Sequence, residues 1–543
     1  MAQADYDRLP QTPANHVPLS PLSFLHRSAE VYAERCAVID TDMTLTYAEF
    51  EQRCRQLASS LAEHGVGRGD TVAILCRNTH EMLEARYAVP MLGAVLNPLN
   101  TRQDAQSIAT MLRHGKAVAL LCDHAFGAVA KRALDHLGEA RPTPIVIDSH
   151  GSASEALAGQ RFEDLVEAGD PAYEPPGVHD EWEALTLLYT SGTTGTPKGV
   201  VYHHRGAYLA AMANAMAFHM TTDSVFLWTL PMFHCDGWGY VWATTAAGAT
   251  HVCLDSVNTD LIHERMETCG VTHLCGAPIV LNSLLADFES RGLSLSTRAD
   301  FALGGAAPPA AVIDRARRLG FDITHLYGLT ETYGPSTLCV WQPAWEQLDG
   351  KARAACMARQ GVANFAIEDI AVLDANAGHV PRDGQSIGEL CVRGHTVMKG
   401  YLNNPEETEA AFADGWFHTG DLAVRHPDGY VEIKDRSKDI IISGGENISS
   451  LEIESVLHEH PAVAEVAVVA EPHPRWGERP CAFVTLVDDA GEVDEQTLIE
   501  FCRERMAHYK APGRVIFGAL PRTATGKIQK TALRESVRSD ADS

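Results

Sequence analysis

Tyr189-Thr190-Ser191-Gly192-Thr193-Thr194-Gly195-Thr196-Pro197-Lys198-Gly199 is the stretch that decides how this chain is read. Just before it, Ala184-Leu185-Thr186-Leu187-Leu188-Tyr189 has the short apolar run of a buried strand. Three glycines, four threonines and one serine then surround a single lysine. Glycine admits close backbone approach. Free N–H groups and hydroxyls beside one ammonium suit a polyphosphate. A Walker A loop needs Gly before its Lys and Ser or Thr after it. Here Pro197 precedes Lys198 and Gly199 follows, which disfavours an ordinary P-loop hydrolase. A plain surface turn of Gly, Thr and Pro is the alternative.

Outward from this loop, strand and helix signals alternate. Upstream, a helix is predicted at residues 24–32, and residues 36–40 and 45–47 bracket a hairpin turn. Phe50, Cys54, Leu57 and Leu61 recur at helical spacing, predicting a helix over 47–64. A strand at 72–75, a helix from His80, a strand at 94–96, a helix from Asp104 and a strand at 117–121 follow. Residues 150–182, acidic and polar with Pro175-Pro176, read as an interruption. Downstream come a helix at 203–218 and strands at 225–228, 272–275 and 301–303. The alternation implies a parallel sheet with crossover helices. The segments with chemical character fall at the carboxyl ends of these strands, where open α/β sheets bind ligands. Composition changes around residue 436. Beyond it, a helix from Ser449, strands at 463–469 and 482–487, and a helix capped by Asp494 and running to 508 form a separate α+β unit.

The chain has 543 residues, more than one hydrophobic core supports, so two or more domains are expected. Its net charge of −27 disfavours non-specific nucleic-acid binding. An anionic substrate must then be met by local cations, N–H groups or a metal ion. The thirteen cysteines include no Cys-x-x-Cys pair, so neither a disulfide framework nor a zinc site is suggested. Reduced thiols in a cytoplasmic setting are expected, with Cys235 as a packing residue. Residues 1–7 lack the apolar core of a secretory signal, and the uncharged run 237–254 is too rich in Gly, Thr and Ala for a membrane span.

Six further segments follow the Thr/Gly loop in order. They are Leu303-Gly304-Gly305-Ala306-Ala307-Pro308, His325-Leu326-Tyr327-Gly328-Leu329-Thr330-Glu331-Thr332, Gly415-Trp416-Phe417-His418-Thr419-Gly420-Asp421, Ile433-Lys434-Asp435-Arg436-Ser437-Lys438-Asp439, Ile442-Ser443-Gly444-Gly445-Glu446-Asn447-Ile448 and Pro521-Arg522-Thr523-Ala524-Thr525-Gly526-Lys527-Ile528. With the loop, the series resembles the acyl-adenylate-forming superfamily: acyl-CoA synthetases, adenylation domains of peptide synthetases and beetle luciferases. The resemblance covers nearly the whole chain. It implies an α/β fold: a large N-terminal domain of stacked, parallel-rich sheets with a β-barrel-like part, and a small mobile α+β C-terminal domain. The implied boundaries are 1–435 for the first domain, 436–438 for a hinge and 439–543 for the second.

The same resemblance assigns roles. Thr190, Ser191, Gly192, Thr193, Thr194 and Lys198 would take the phosphates of ATP. Gly304, Gly305, Ala306 and Ala307 would wall the adenine and acyl group. Tyr327, flanked by His325 and Gly328, would stack on adenine. Thr330 would bond the α-phosphate, and Glu331 with Thr190 would hold Mg2+, a hard cation that wants oxygen. Asp421 would accept from the ribose hydroxyls, with Arg436 and Ile433 beside it. Lys438 falls on the hinge position. Gly444, Gly445 and Glu446 belong to the loop for the thioester step, and Lys527 matches the catalytic lysine. In Pro231-Met232-Phe233-His234-Cys235-Asp236-Gly237-Trp238-Gly239, His234 matches the residue that gates the acyl pocket and meets the phosphates; Trp238 and Tyr333 would line that pocket.

The implied reaction is ATP-dependent: carboxylate and ATP give acyl-AMP and pyrophosphate, then the thiol of coenzyme A displaces AMP. The matching pocket segments carry no Lys or Arg, which favours a monocarboxylic acid. His234 stands where amino-acid adenylation domains carry Asp, although Asp236 lies close. Short- and medium-chain acyl-CoA synthetases are the most similar group, 3-methylmercaptopropionate–CoA ligases among them. Butyrate-like, medium-chain fatty and aromatic acids stay open, as do a stand-alone enzyme that loads a carrier protein, a catalytically silent binder and a luciferase-like oxygenase. The expected partners are a carboxylic acid, ATP and CoA, with a homodimer as a candidate assembly and neither nucleic acid nor membrane.

Overall fold

The structure is a computed structural model that describes residues 8–41, 43–147, 157–190, 197–295, 297–305, 310–436, 438–443, 446–487, 490–491, 493–522 and 528–541. Among these residues the chain builds two large sheets, a four-stranded antiparallel sheet and a smaller C-terminal sheet. An eight-stranded sheet has Ala184–Thr190, Val95–Pro98, Thr71–Leu75, Ala117–Asp123 and Thr143–Ile147 as its parallel centre. A nine-stranded sheet runs parallel from Cys36–Ile39 through Thr250–Val252, Val225–Leu227, His273–Gly276 and Ala299–Gly304 to Phe321–Leu329. Where a β-barrel-like part was expected, the described residues form an antiparallel sheet of four strands, Ile367–Leu373, Gly388–Gly394, Phe417–Arg425 and Val431–Arg436.

The two large sheets share one core. Val72, Ile74 and Leu188 of one pack in the same buried cluster as Phe226, Trp228 and Cys275 of the other. The helix His80–Met91 is buried at every position, so it has no polar face to reveal it by periodicity. The helix Tyr47–Glu63 begins where Thr46 accepts from Glu49 N and the Glu49 carboxylate takes Thr46 N at 2.8 Å, a reciprocal cap of two orphan donors. Its buried stripe is the predicted Phe50, Cys54, Leu57 and Leu61. The helix expected from Asp104 is Ala105–His114, and Asp104 caps it by accepting from Ser107 N.

Residues 150–182 are not a plain interruption. Gln160–Arg161 adds an edge strand, and Phe162–Ala168 is a helix that buries Phe162, Leu165 and Val166. Ser60 Oγ donates to Leu165 O at 2.6 Å, tying this helix to Tyr47–Glu63. The helix after Asp494 is also shorter than predicted, ending at Arg503. None of the thirteen cysteines is in a disulfide, and ten are buried. Among the described residues no helix is long and apolar enough to cross a membrane.

Beyond Val431–Arg436 the chain enters the C-terminal sheet of Ile441–Ser443, Glu446–Ile448, Val463–His473, Gly477–Leu486 and Arg514–Phe517, with its own apolar cluster around Ile441, Ile453, Val468 and Leu498. The junction is stitched by hydrogen bonds. Ser449 Oγ donates to Lys434 O at 2.6 Å, and Ser450 N donates to Asp435 Oδ2 at 2.6 Å. Arg534 pairs with Asp439 just past Lys438.

Candidate active site

The Thr/Gly loop joins two antiparallel strands, Ala184–Thr190 and Lys198–His203, with Thr190 opposite Lys198 in register. Ser191, Gly192, Thr193 and Thr194 lie outside the described residues, as do Ala306, Ala307, Gly444, Gly445 and Lys527. Gly400–Tyr401 pairs with Lys198–His203 through Gly400 opposite Val201. That pairing brings in residues the sequence did not single out. Lys198 forms an ion pair with Glu407, and its ammonium sits 5.0 Å from the centre of the Tyr401 ring, a cation–π distance. Tyr401 OH donates to Glu331 Oε1 at 2.9 Å. A cavity of about 170 Å³ opens beside Lys198, lined by Thr110, His114, Tyr189, Tyr401 and Glu407.

Glu331 sits on a single 3₁₀ turn, Thr330–Thr332, directly after the strand Phe321–Leu329. Met398 N donates to Glu331 O at 2.8 Å, and Tyr202 OH donates to Thr330 O at 2.5 Å. The turn is therefore fixed from two sides. Gly328 just before it is obligatory: a Cβ there would lie 1.6 Å from Gly334 O. The Cys235 sulfur lies 3.3 Å from Thr330 Oγ1, which links the Thr330 turn to the His234 segment.

A second cluster gathers from two different sheets. Tyr327 OH donates to Asp421 Oδ2 at 2.6 Å, and Arg436 Nε lies 3.2 Å from Asp421 Oδ1. Asp421 and Arg436 are directly opposed on neighbouring strands. Desolvation and the adjacent Asp421 charge push the Tyr327 phenol well above its ordinary value, so it stays a donor. Burial holds His325 down at about 4, and its Nδ1–H donates to Arg359 O at 3.0 Å. Ile433 N donates to Gln360 Oε1 at 2.6 Å. Glu389, also missed in the sequence, accepts from Gly420 N at 2.8 Å and meets His418 Nδ1 at 2.9 Å, aligning the turn that ends in Asp421.

The segment after His234 is tightly packed. Trp238 is 7% exposed, and its indole lies over Gly304, where a Cβ would come within 2.8 Å of Cη2. Gly305 follows with φ +111°. Asp236 is fully buried and ion-paired with Arg86. It is thus committed inside the protein, which removes the ambiguity its position created. Tyr333 differs from its expectation as a pocket residue. It is 1% exposed, its ring stacks on Tyr202 at 3.7 Å, and its hydroxyl accepts from His203 N and donates to His203 O. Gly206 gives it room. The side chain is used in packing two strands together.

Lys438 is exposed between the two sheet systems. Its ammonium is held below the ordinary lysine range by desolvation and by the nearby cations of Arg436 and Arg534. Glu446 is exposed at the start of the strand Glu446–Ile448. The segment that carries Lys527 is bracketed by an antiparallel bridge between Arg522 and Ile528.

A carboxylate at the end of a parallel strand and a Tyr–Asp–Arg cluster shared between the parallel and antiparallel sheets have the character of a ligand site beyond the carboxyl end of a strand. The chain belongs to the AMP-binding enzyme family, matching it over residues 25–402 and matching the family's C-terminal domain over 452–527. It is 46% identical to a peroxisomal acetate/butyrate–CoA ligase of Arabidopsis thaliana, over 98% of this chain and 97% of that one. It is 43% identical to a peroxisomal benzoate–CoA ligase of the same plant, over 98% and 95%. Among solved structures it resembles the o-succinylbenzoate–CoA synthetase of Bacillus subtilis at 30% identity. With the acyl-adenylate intermediate bound, that enzyme gives a TM-score of 0.80 over 94% of this chain and 97% of the other. With ATP and magnesium, it gives 0.79 over 95% and 99%. The chain is therefore an AMP-forming acid–thiol ligase of the acyl-adenylate-forming superfamily.

Proposed function

We propose that this ligase activates a short- or medium-chain monocarboxylic acid, in the size range of acetate to 3-methylmercaptopropionate, and passes it to CoA. The observation that carries the reading is Trp238 seated on Gly304. An indole there fills depth that a long acyl chain would need. The buried cation nearest this segment, Arg86, is neutralised by Asp236 and is not offered to a second carboxylate. Equally, Asp236 is not offered to an α-ammonium group. The acetate/butyrate specificity named for the Arabidopsis relative supports the size range. The benzoate relative keeps a flat aromatic acid as the competing substrate class.

In this reading, Lys198 and the Thr/Gly loop hold the β- and γ-phosphates, while His234 and Thr330 face the α-phosphate. Tyr327 supplies the adenine platform, and Asp421 with Arg436 takes the ribose. Glu331 offers a hard oxygen donor, with the Thr190 hydroxyl as a second, and so fits Mg2+, which would offset phosphate charge. The acid's carboxylate attacks the α-phosphorus and pyrophosphate leaves. Such displacements depend on positioning and charge neutralisation more than on covalent help. Lys527 supplies a further cation for this step; Gly444, Gly445 and Glu446 then serve the attack of the CoA thiol, after rotation of the C-terminal domain about Lys438.

The test is a panel of acetate, butyrate, 3-methylmercaptopropionate, hexanoate, benzoate and glycine with ATP, Mg2+ and CoA, following AMP and pyrophosphate. The expected result is CoA-dependent AMP release highest with the short monocarboxylates. A preference for benzoate would replace the substrate class. Acid-dependent pyrophosphate release without CoA thioester, but with loading of a carrier protein, would replace the acceptor.

A further inference from the structure

Cys235, Asp236, Gly237, Trp238 and Gly239 have φ values of 49°, 50°, 57°, 56° and 78°. Five consecutive left-handed residues, three of them not glycine, form a conformation that L-residues avoid and that persists only when its surroundings impose it. The imposing groups come mainly from helices in the shared core. Arg86, on His80–Met91, is 1% exposed; its guanidinium pairs with Asp236, which is 0% exposed, and also donates to Met232 O. Asn78 donates to Trp228 O and Leu230 O at 2.9 Å each and accepts from Met232 N at 2.8 Å. Asn214, on the helix His204–Ala217, donates to Trp238 O at 2.8 Å. The Trp228 ring closes the turn from beneath, since a Cβ on Gly237 would lie 2.4 Å from its Cζ3.

Of these anchors, the ion pair is the one that grips a charged side chain within the left-handed run. A buried pair often contributes little net stability against an apolar replacement, but breaking it leaves a charge uncompensated. Its effect here is to fix where the backbone turns, and the turn fixes Trp238 over Gly304.

We propose that Arg86 and Asp236 are positioning residues that set the depth of the acid pocket by holding the left-handed turn, and with it Trp238, in place. The proposal rests on the reading of Trp238 as the pocket's end wall. The test compares Arg86→Met, Asp236→Asn and Trp238→Ala in the full-length enzyme. The readouts are kcat and KM for acetate, butyrate and hexanoate, together with the KM for ATP. Discrimination per methylene in an apolar pocket runs from about tenfold upward. Loss of the pair should therefore shift the hexanoate-to-acetate ratio of kcat/KM by at least about tenfold. The KM for ATP should stay within about twofold of the parent, because Tyr327, Asp421 and Arg436, proposed for adenine and ribose, stand on other strands. Unchanged acid ranking in folded Arg86→Met and Asp236→Asn, with a shift in Trp238→Ala, would overturn the role of the pair alone. Unchanged ranking in Trp238→Ala would overturn the pocket reading on which it rests. Parallel rises in the KM for acid and for ATP would mark the pair as structural. Should Arg86→Met fail to fold, Asp236→Asn, which keeps the side chain's shape, decides the matter.

Discussion

Tyr327 OH donates to Asp421 Oδ2 at 2.6 Å, tying the last parallel strand of the nine-stranded sheet to the antiparallel sheet beside it. One residue thereby does two jobs: its ring is the adenine platform of the proposed site, and its hydroxyl fixes the carboxylate proposed for the ribose. Tyr327→Phe separates them. Hydrogen bonds to a charged group are worth about 1.5–3 kcal/mol. The KM for ATP should rise by about tenfold or more, with kcat changed far less. A KM for ATP unchanged in Tyr327→Phe would show that Asp421 needs no such support.

Glu407 occupies Lys198, the lysine proposed for the phosphates. It pairs with Lys198 while 37% exposed, and Asn404 Nδ2 holds its other oxygen at 2.9 Å. A pair this open is worth about 0–1 kcal/mol. Glu407→Ala should therefore lower the KM for ATP by up to about fivefold, since phosphate no longer competes with a resident carboxylate. Steady-state kinetics with varied ATP checks it. A higher KM would mean that Glu407 orients the lysine rather than competing for it.

Much of the fold was legible because buried strands write short, mostly apolar runs, as at residues 184–189, and because helical spacing such as Phe50, Cys54, Leu57 and Leu61 announces a helix. The Phe162–Ala168 helix was not legible, since Glu163, Asp164 and Glu167 interleave with its three buried apolar residues. The site divides the same way. Tyr327, Thr330 and Glu331 lie within one short string. Tyr401 and Glu407 reach Lys198 only through the pairing of Gly400 with Val201, and Arg86 meets a residue 150 positions away. Such long-range meetings leave no local spacing to read.

Five histidines are held low by burial: His203 and His325 at about 4, His204 and His251 at about 3, and His458 below the ordinary value. Unfolded, each takes a proton near the ordinary value of about 6.5. Between about pH 6.5 and 4 the unfolded chain binds more protons than the folded one, so stability falls as pH falls through that window. His325 alone contributes on the order of 3 kcal/mol across it. His80 works in the opposite sense. Burial opposes its charge, but Glu81 and the bond to Asp40 raise it well above the ordinary value, so its contribution is present at low pH and lost as pH rises. The depressed histidines should pull the apparent melting temperature down from pH 7 to pH 5. In His325→Gln that drop should be smaller. An identical drop in the variant would show that His325 is already protonated in the folded chain.

Lys438 stands where the antiparallel sheet hands over to the C-terminal sheet, one residue before Asp439, whose carboxylate is held by Arg534. The bonds from Ser449 to Lys434 and from Ser450 to Asp435 fasten the C-terminal helix to the strand that precedes it. The proposed rotation of the C-terminal unit would have to break both bonds, which span Lys438, and would turn on the backbone at Lys438. Proline fixes φ near −65° and removes the N–H. Lys438→Pro should therefore leave acid-dependent pyrophosphate release within about threefold of the parent while cutting thioester formation by at least about a hundredfold, the pattern expected when one of two domain arrangements is blocked. Single-turnover measurements separate the two steps, the first with ATP and acid alone and the second with preformed acyl-AMP and CoA. Equal loss in both half-reactions would place the pivot elsewhere or make the C-terminal unit's position irrelevant to the thioester step.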